Sequence, residues 1–191
     1  LKSVRMRQVQ SKCMILRNAE INATLSFNGA KLGSYLDLSS LKLTDKSKIT
    51  FKNCELPDTI NFSKTDKIYN EIDLQNARFN DTGSKSKHRF HYIYLYDADI
   101  AKLRLDYLHF RLLLTDPETK QELHIDDATP MYEALLKNFS DHGQVKSYEY
   151  LDIEYQDYIW KQNKTFSWFR FVPHYWNFYG YRKGYVFLWA I

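Results

Sequence analysis

The sequence contains few of the residues that mark several common classes of protein. Its 191 residues include only two cysteines, Cys13 and Cys54, so a disulfide framework of the kind found in small secreted domains is excluded. Six glycines and four prolines are too few for collagen-like or low-complexity sequence. The hydrophobic content of 44% is too high for intrinsic disorder. We therefore expect a folded protein with an apolar core, in which Cys54 is a buried free thiol.

The motifs of the common enzyme classes are also missing. There is no glycine-rich phosphate loop, no nucleophile elbow and no recognisable Ser/His/Asp arrangement. Metal-ligand types occur in His88-x-x-His91 and in His124-x-Asp126-Asp127, but neither motif has further ligands at a diagnostic spacing. The sequence predicts no catalytic residues, no bound metal and no cofactor.

One arrangement of carboxylates keeps an enzymatic alternative open. Asp97, Asp99 and Asp106 could line one outer face, as the acidic pair of a carbohydrate-active β-helix enzyme would. Charged outward positions are also what the surface of any solenoid presents. We therefore take catalysis as the least favoured of the possible functions.

Most of the chain carries an apolar pattern that neither a helix nor a flat strand explains. Apolar residues recur in steps of two, three and two, and at 100° per residue these positions scatter around a helix. The steps of three break the alternation of a strand. A backbone that turns a corner every five residues satisfies the pattern. The clearest run is Phe90, Ile93, Leu95, Ala98, Ile100, Leu103, Leu105, Leu108 and Phe110.

The same group of four inward positions repeats along the chain. The groups begin at residues 14, 25, 36, 49, 60, 72, 93 and 103, and the early ones are 11 to 13 residues apart. A fixed repeat of this length indicates a solenoid. The alternative is an irregular β-rich domain in which the spacing is coincidental.

Several of the repeats share a short motif, a small residue, a polar residue and then a large apolar residue. The motifs are Asn18-Ala19-Glu20-Ile21, Gly29-Ala30-Lys31-Leu32, Asn76-Ala77-Arg78-Phe79, Asp97-Ala98-Asp99-Ile100 and the cysteine variant Asn53-Cys54-Glu55-Leu56. On these motifs, residues 14 to 110 resemble the pentapeptide-repeat family. The resemblance implies a right-handed, four-sided β-helix with four pentapeptides per coil. Leucine replaces the small residue at positions 41, 103 and 108.

The pattern becomes helical after residue 115. Thr129 and Pro130 predict a helix start, and Gly143 can end that helix in the left-handed conformation. A second amphipathic helix is expected from about residue 144 to 161, and the short link implies an antiparallel hairpin. We predict a solenoid over 1–114, a linker over 115–129, a helical hairpin over 130–163 and a tail over 164–191. Some bacterial members of the resembled family carry a similar tyrosine-rich helical pair followed by channel-like membrane helices.

The tail is rich in aromatic residues and has no acidic ones. Tyrosine and tryptophan favour the membrane interface. The last seven residues are apolar, too few to cross a bilayer but similar to the start of a spanning helix. A basic pair before this run favours the cytoplasmic side. The residues predicted to lie near the membrane are Trp168, Arg170, Trp176, Tyr179, Arg182, Lys183, Tyr185 and Trp189.

The overall charge narrows the choice of partner. The net charge of +4 argues against acidic mimicry of DNA, a role known in the resembled family, and the basic residues are too dispersed for a nucleic-acid site. We expect a non-enzymatic interaction or sensing scaffold of a membrane-associated protein on the cytoplasmic side, with a lipid surface and an unidentified protein as partners. The alternative is a soluble effector or adhesin-type module in which the aromatic tail packs as core.

Overall fold

The computed structural model describes residues 4–6, 9–78 and 90–162. Within these ranges the chain forms short β-strands followed by two α-helices, α1 (Ile125–Asp141) and α2 (Val145–Gln162). The strands are β1 (Val4–Arg5), β2 (Gln10–Ile15), β3 (Glu20–Ile21), β4 (Thr24–Ser26), β5 (Lys31–Asp37), β6 (Lys42–Leu43), β7 (Lys48–Thr50), β8 (Thr59–Asn61), β9 (Ile72–Asp73), β10 (His91–Tyr94), β11 (Leu103–Arg104) and β12 (Phe110–Leu112).

The strands stack into a parallel β-solenoid of about four turns. Each strand pairs with the equivalent strand one coil away, so Met14 pairs with Leu36, and Leu36 with Ile60. The largest sheet has the order β12-β10-β8-β5-β2, and β1-β4-β7, β9-β11 and β3-β6 form smaller parallel sheets. The predicted fold class, a mainly β solenoid followed by a C-terminal helical hairpin, is confirmed, and its strands are parallel.

The steps of three in the sequence are β-turns at the corners of the coil. The amide of Ala30 donates to the carbonyl of Phe27 at 2.9 Å, and that of Cys54 donates to Phe51 at 3.0 Å. In these two turns the third residue has a positive φ, +72° at Gly29 and 55° at Asn53. Glycine needs no extra energy there, and asparagine and aspartate tolerate this conformation better than most residues. The other residues with positive φ at such corners are Asn18, Ser40, Lys64 and Asp97.

The inward positions predicted from the spacing form the core. Leu41 and Leu103 are fully buried, so the coil accommodates leucine where the repeat usually places a small residue. Leu108 is only half-buried, and the neighbouring Tyr107 takes its place in the core. The fully buried inward residues include Phe27, Leu36, Leu38, Phe51, Cys54, Leu56, Ile60, Phe62, Leu74, Ile93, Leu95 and Leu105.

The predicted start of the first helix is wrong. Helix α1 begins at Ile125, inside the predicted linker, and His124 is its N-cap, with Nδ1 accepting from the amide of Asp126. Pro130 lies inside the helix. A proline there cannot donate to the carbonyl four residues earlier, but it still adopts helical φ. Asp126 and Asp127 in the first turn favour the earlier start, because they interact well with the positive end of the helix dipole.

The end of α1 and the hairpin agree with the prediction. Gly143 has φ +65°, and the amide of Gln144 donates to the carbonyl of Phe139 at 2.8 Å, the bond expected where a left-handed glycine ends a helix. Tyr132 near the start of α1 stacks on Tyr155 near the end of α2, with ring centroids 4.8 Å apart. The two helices are therefore antiparallel.

The hairpin covers the last coil of the solenoid. Nδ2 of Asn138 donates to the carbonyls of Ile100 and Ala101 at 2.9 and 3.0 Å, and Oγ of Ser147 accepts from the amide of Tyr107 at 3.1 Å. The hairpin thus acts as a terminal cap, which solenoids require because an uncapped end leaves backbone groups and apolar residues exposed.

Candidate functional site

The five-stranded sheet presents an outward row of side chains that crosses the stack of coils. Cys13, Tyr35, Thr59, Tyr92 and Arg111 follow one another in register on β2, β5, β8, β10 and β12. Their neighbours Met14, Leu36, Ile60, Ile93 and Leu112 belong to the inward row, so alternation directs the first set away from the core. Tyr92 is 43% exposed. We call this outward row the tyrosine face.

A buried polar ladder lies beside the tyrosine face. Asp37 is only 1% exposed although it alternates outward, and its Oδ2 accepts from Nε and Nη2 of Arg17 at 3.2 and 3.0 Å. One coil further, Nδ2 of Asn61 donates to Oδ1 of Asp37 at 3.2 Å and to the phenol oxygen of Tyr35 at 3.3 Å. The ladder therefore holds the ring of Tyr35 in place, and burial raises the pKa of that phenol.

Asp37 and Asn61 also close equivalent corners in successive coils. Oδ1 of Asp37 accepts from the amide and the hydroxyl of Ser39, and Oδ1 of Asn61 accepts from the same two groups of Ser63. Both are Asx-type turns, in which a side-chain oxygen binds the backbone two residues on. The polar atoms of the ladder are thus engaged within the protein.

A turn after the last strand lies over one margin of this sheet. Glu118 forms ion pairs with Arg17 at 4.0 Å and Lys64 at 3.4 Å, and Nζ of Lys120 lies 5.8 Å from the ring centre of Tyr94. These contacts help to bury the polar ladder, whereas the tyrosine face around Tyr92 is more exposed. The arrangement is suited to contact with a partner surface, since tyrosine is enriched at the centres of interfaces.

A second polar cluster lies between the solenoid and the hairpin. The carboxylate of Glu154 accepts from the phenols of Tyr107 at 2.8 Å and Tyr132 at 3.3 Å. Burial raises the pKa of Glu154, while the two phenols, Arg111 and Lys161 oppose that shift. Burial also raises the pKa of both tyrosines, which stay protonated as donors. This cluster joins the hairpin to the last coil.

The histidine motifs have structural positions in the part that is described. His91 is buried, and its Nδ1 lies 2.6 Å from the carbonyl of Pro57, while His124 caps α1. His88 lies outside the described residues. Across residues 4–6, 9–78 and 90–162, no three potential ligands come together in a way that could hold a metal ion.

The three candidate carboxylates do not come together. Asp99 accepts from the amides of Ile68 and Ala101, and Asp106 accepts from the amide of Leu108 and from Ser147, so both carboxylates support the backbone. Asp97 and Asp99 line a cleft of about 580 Å³ beside the start of α1, and Asp106 is not among its lining residues.

The remaining sequence predictions concern the cysteines and the membrane-proximal tail. Cys54 is fully buried as predicted, and burial raises the pKa of its thiol to about 12, whereas Cys13 is exposed. Neither described helix is long and apolar enough to span a bilayer. The residues predicted to lie near the membrane are outside the described residues, namely Trp168, Arg170, Trp176, Tyr179, Arg182, Lys183, Tyr185 and Trp189.

Sequence reasoning missed the tyrosine face and the ladder beneath it. A usable signal was present, because Asp37-x-Ser39 and Asn61-x-Ser63 are 24 residues apart, which is one coil. Aligning the outward positions of the repeats, as well as the inward ones, would have placed Tyr35 and Tyr92 in one row.

The chain matches no protein-family model, no curated protein and no solved structure. The resemblance to pentapeptide-repeat proteins therefore stays a prediction based on the motifs.

Proposed function

We propose that this chain is a non-catalytic interaction or sensing scaffold that is held at the cytoplasmic face of a membrane by its tail. The tyrosine face carries the proposal. It combines an exposed tyrosine, Tyr92, with a second ring, Tyr35, that is held from below by Asn61. A rigid aromatic surface of this kind loses little side-chain entropy when a partner binds.

The engagement of the carboxylates supports a scaffold over an enzyme. Asp37, Asp99 and Asp106 each accept hydrogen bonds from backbone amides, and removing them would loosen corners of the coil. A catalytic acid or base needs instead to reach a proton of the substrate. The buried, protonated thiol of Cys54 is equally unsuited to nucleophilic attack.

Membrane attachment is proposed from the composition of the tail. Residues 163–191 contain four basic residues, no acidic residue and many aromatic rings. Basic residues near an anionic surface each contribute about 1 kcal/mol of binding, and aromatic rings add interfacial affinity.

Vesicle co-sedimentation of the full chain tests the attachment. We expect binding to phosphatidylserine-containing vesicles that weakens with salt, and little binding to phosphatidylcholine alone. Arg182→Glu with Lys183→Glu should weaken binding by roughly 30-fold or more, the equivalent of about 2 kcal/mol. Lys42→Glu with Lys46→Glu makes the same charge change at exposed solenoid positions and is the matched control. Equal loss in both variants, or binding without anionic lipid or salt dependence, would contradict the proposal.

A further inference from the structure

The first coil of the solenoid is open on the side away from the hairpin. In the part of the chain that the structure describes, β1, β2 and β3 are the outermost strands of their sheets, and no strand pairs with their outer edges. At the last coil, by contrast, the hairpin covers the end. An open solenoid end presents unpaired strand edges and apolar residues, both of which favour association.

The edge of β2 is suited to pairing with another strand. The amide of Leu16 donates to the carbonyl of Asp37 on β5 at 2.8 Å. Successive residues of a strand direct their backbone groups to alternate sides, so those of Cys13, Ile15 and Arg17 point away from the solenoid. Ile15, at the centre of this edge, is apolar and 64% exposed. Edge strands of monomeric proteins usually carry a charged residue or a proline at such a position.

The apolar residues of the first coil are less buried than their equivalents in the next coil. Val4 and Met14 are half-buried, whereas Leu25 and Leu36, which pair with them in register, are almost fully buried. A partner that covers this end must supply a ring of apolar residues and strand edges on three sides, and another coil end of the same size supplies both. The half-buried residues of this end are Val4, Met6, Met14, Leu16, Ala19 and Ile21.

We infer that the first coil is the interface of a homodimer in which two copies of this chain meet end to end about a two-fold axis. The axis passes through Ile15, so that β2 of one copy lies antiparallel to β2 of the other. The five-stranded sheets of the two copies then form one continuous sheet. Because the hairpin covers the opposite end of each copy, the contact closes at two copies and does not extend into a fibre.

The same two-fold axis brings opposite charges together. Strands β1, β2 and β3 lie on three sides of the coil, so an axis through β2 places β1 of one copy against β3 of the other. The amide of Met6 donates to β4 and the carbonyl of Ala19 accepts from β6, so the backbone groups of Arg5 and Glu20 point to the open end. Both of these side chains are exposed. Arg5 of each copy thus faces Glu20 of the second copy, and such a cross-strand pair is favourable.

The other described charges of the first coil do not oppose this pairing. Arg17 is held by Asp37 of its own chain, with Nη2 and Oδ2 3.0 Å apart. When the pairing is centred on Ile15, Lys12 lies opposite Asn18 of the second copy. The two copies of Lys12 are then about 20 Å apart along the strands, well beyond the Debye length of about 8 Å.

The dimer joins the tyrosine faces of the two copies. Each tyrosine face crosses its sheet from β2 to β12, so pairing of β2 with β2 places the two faces side by side on one surface. A partner with two binding segments then binds more tightly than a partner with one. The dimer itself does not rest on the function proposed for these faces.

Sedimentation velocity of the full chain without lipid, from about 1 to about 100 μM, tests the inference, and we expect a concentration-dependent dimer. Ile15→Lys should weaken the dimer by at least about 30-fold, because it places two lysines opposite each other. Val145→Lys adds the same charge at an equally exposed apolar position, 65% against 64%, and is the matched control that should leave the dimer unchanged.

A charge exchange tests the two-fold arrangement independently. Arg5→Glu and Glu20→Arg should each weaken the dimer, because each places like charges across the interface. The double variant should recover the wild-type dimer, since it restores an opposite-charge pair with the signs exchanged. Such a recovery cannot result from unfolding, so this readout does not depend on how well the single variants fold.

A monomer at every concentration would overturn the inference. So would a dimer that Ile15→Lys and Arg5→Glu leave unchanged, because the copies would then meet elsewhere. Equal losses in Ile15→Lys and Val145→Lys, or single charge variants that weaken the dimer without recovery in the double variant, would likewise contradict the arrangement. None of these results depends on whether the chain binds vesicles or whether the tyrosine face binds a partner.

Discussion

The phenol of Tyr107 donates a 2.8 Å hydrogen bond to the carboxylate of Glu154, and this contact ties the last coil to α2. Tyr107 occupies the core position that the repeat pattern assigned to Leu108. Because Tyr107 and not Leu108 occupies this position, a phenol oxygen lies at the end of the core, where the last coil meets the hairpin. Stability of the cap should therefore depend on the protonation of Glu154.

Glu154→Gln should change the pH dependence of stability. The folded pKa of Glu154 is raised above its ordinary value of 4.5, so unfolding releases its proton and is favoured as pH rises. The stabilisation that protonated Glu154 contributes is complete below pH 4.5 and is lost as the pH rises through the raised folded pKa. Glutamine can still accept from both phenols but does not titrate.

Urea unfolding between about pH 4 and about pH 8 measures the effect. The free energy of unfolding of Glu154→Gln minus that of the wild type should increase with pH and then level off. Tyr107, Tyr132, Arg111 and Lys161 face the carboxylate in both proteins, so their contributions largely cancel in the difference. Parallel pH curves for the two proteins would show that Glu154 does not titrate in this way.

Substitutions at the inward positions should be far more costly than those at the surface. Leu95→Asp and Ile100→Asp each bury an unpaired charge and should lower the free energy of unfolding by about 4 kcal/mol or more. Lys42→Ala at an exposed position should change it by less than about 0.5 kcal/mol. Similar effects of all three in urea unfolding would refute the inward assignment.

Asp99→Ala should cost more than an outward position suggests. Its carboxylate accepts from the amide of the buried Ile68 as well as from the exposed amide of Ala101, and leaving a buried donor unpaired costs about 1–3 kcal/mol. The same urea unfolding series measures this cost. A loss below that of Lys42→Ala would mean that the corner does not need the carboxylate.

Asn61→Asp should create a pH-dependent defect in the ladder. It would replace the Nδ2 donor, 3.2 Å from Oδ1 of Asp37, with a second buried carboxylate. Two such groups cannot both ionise easily, so the pKa of one should rise and stability should fall as pH increases. We expect a loss of several kcal/mol at neutral pH, with partial recovery on acidification.

Asn61→Ala is the control for this prediction, because it removes the same amide without adding a charge. Its cost should be about 1–3 kcal/mol and nearly independent of pH. Equal costs for the two variants across the pH range would mean that Asn61 and Asp37 do not face each other in solution.

The sequence predicted the inward residues well because backbone geometry fixes their spacing. A β-turn with a left-handed third residue adds one residue between two alternating pairs, so the period of two becomes two, three, two. Asn53 and Gly29 are visible in the sequence as residues that favour this turn. The core positions of the coils could therefore be read from local chemistry.

The parts that were missed depend on contacts between distant segments. Asp37 alternates outward, and it is buried because Arg17 and the turn at Glu118 lie against its sheet. No local pattern around Asp37 contains that information. The helix start was misplaced because Thr129-Pro130 is a strong local signal, whereas the cap used by the protein, His124, is a weaker N-cap type.

The most direct test is a disulfide across two coils. The tyrosine face requires that Cys13 and Tyr35, 22 residues apart, are in-register neighbours on β2 and β5. Neighbouring strands place such Cα atoms about 4.8 Å apart, within the range of about 4.4–6.8 Å that a disulfide requires. Under mild oxidation, Tyr35→Cys should form a disulfide with Cys13, while Cys54 remains a buried thiol. Thr59→Cys, two strands from Cys13 at about 10 Å, should not form one. Peptide mapping that finds the bond to Cys13 in Tyr35→Cys alone is the result we predict. No bond in Tyr35→Cys, or one in Thr59→Cys, would contradict the stacking on which the face and its proposed function depend.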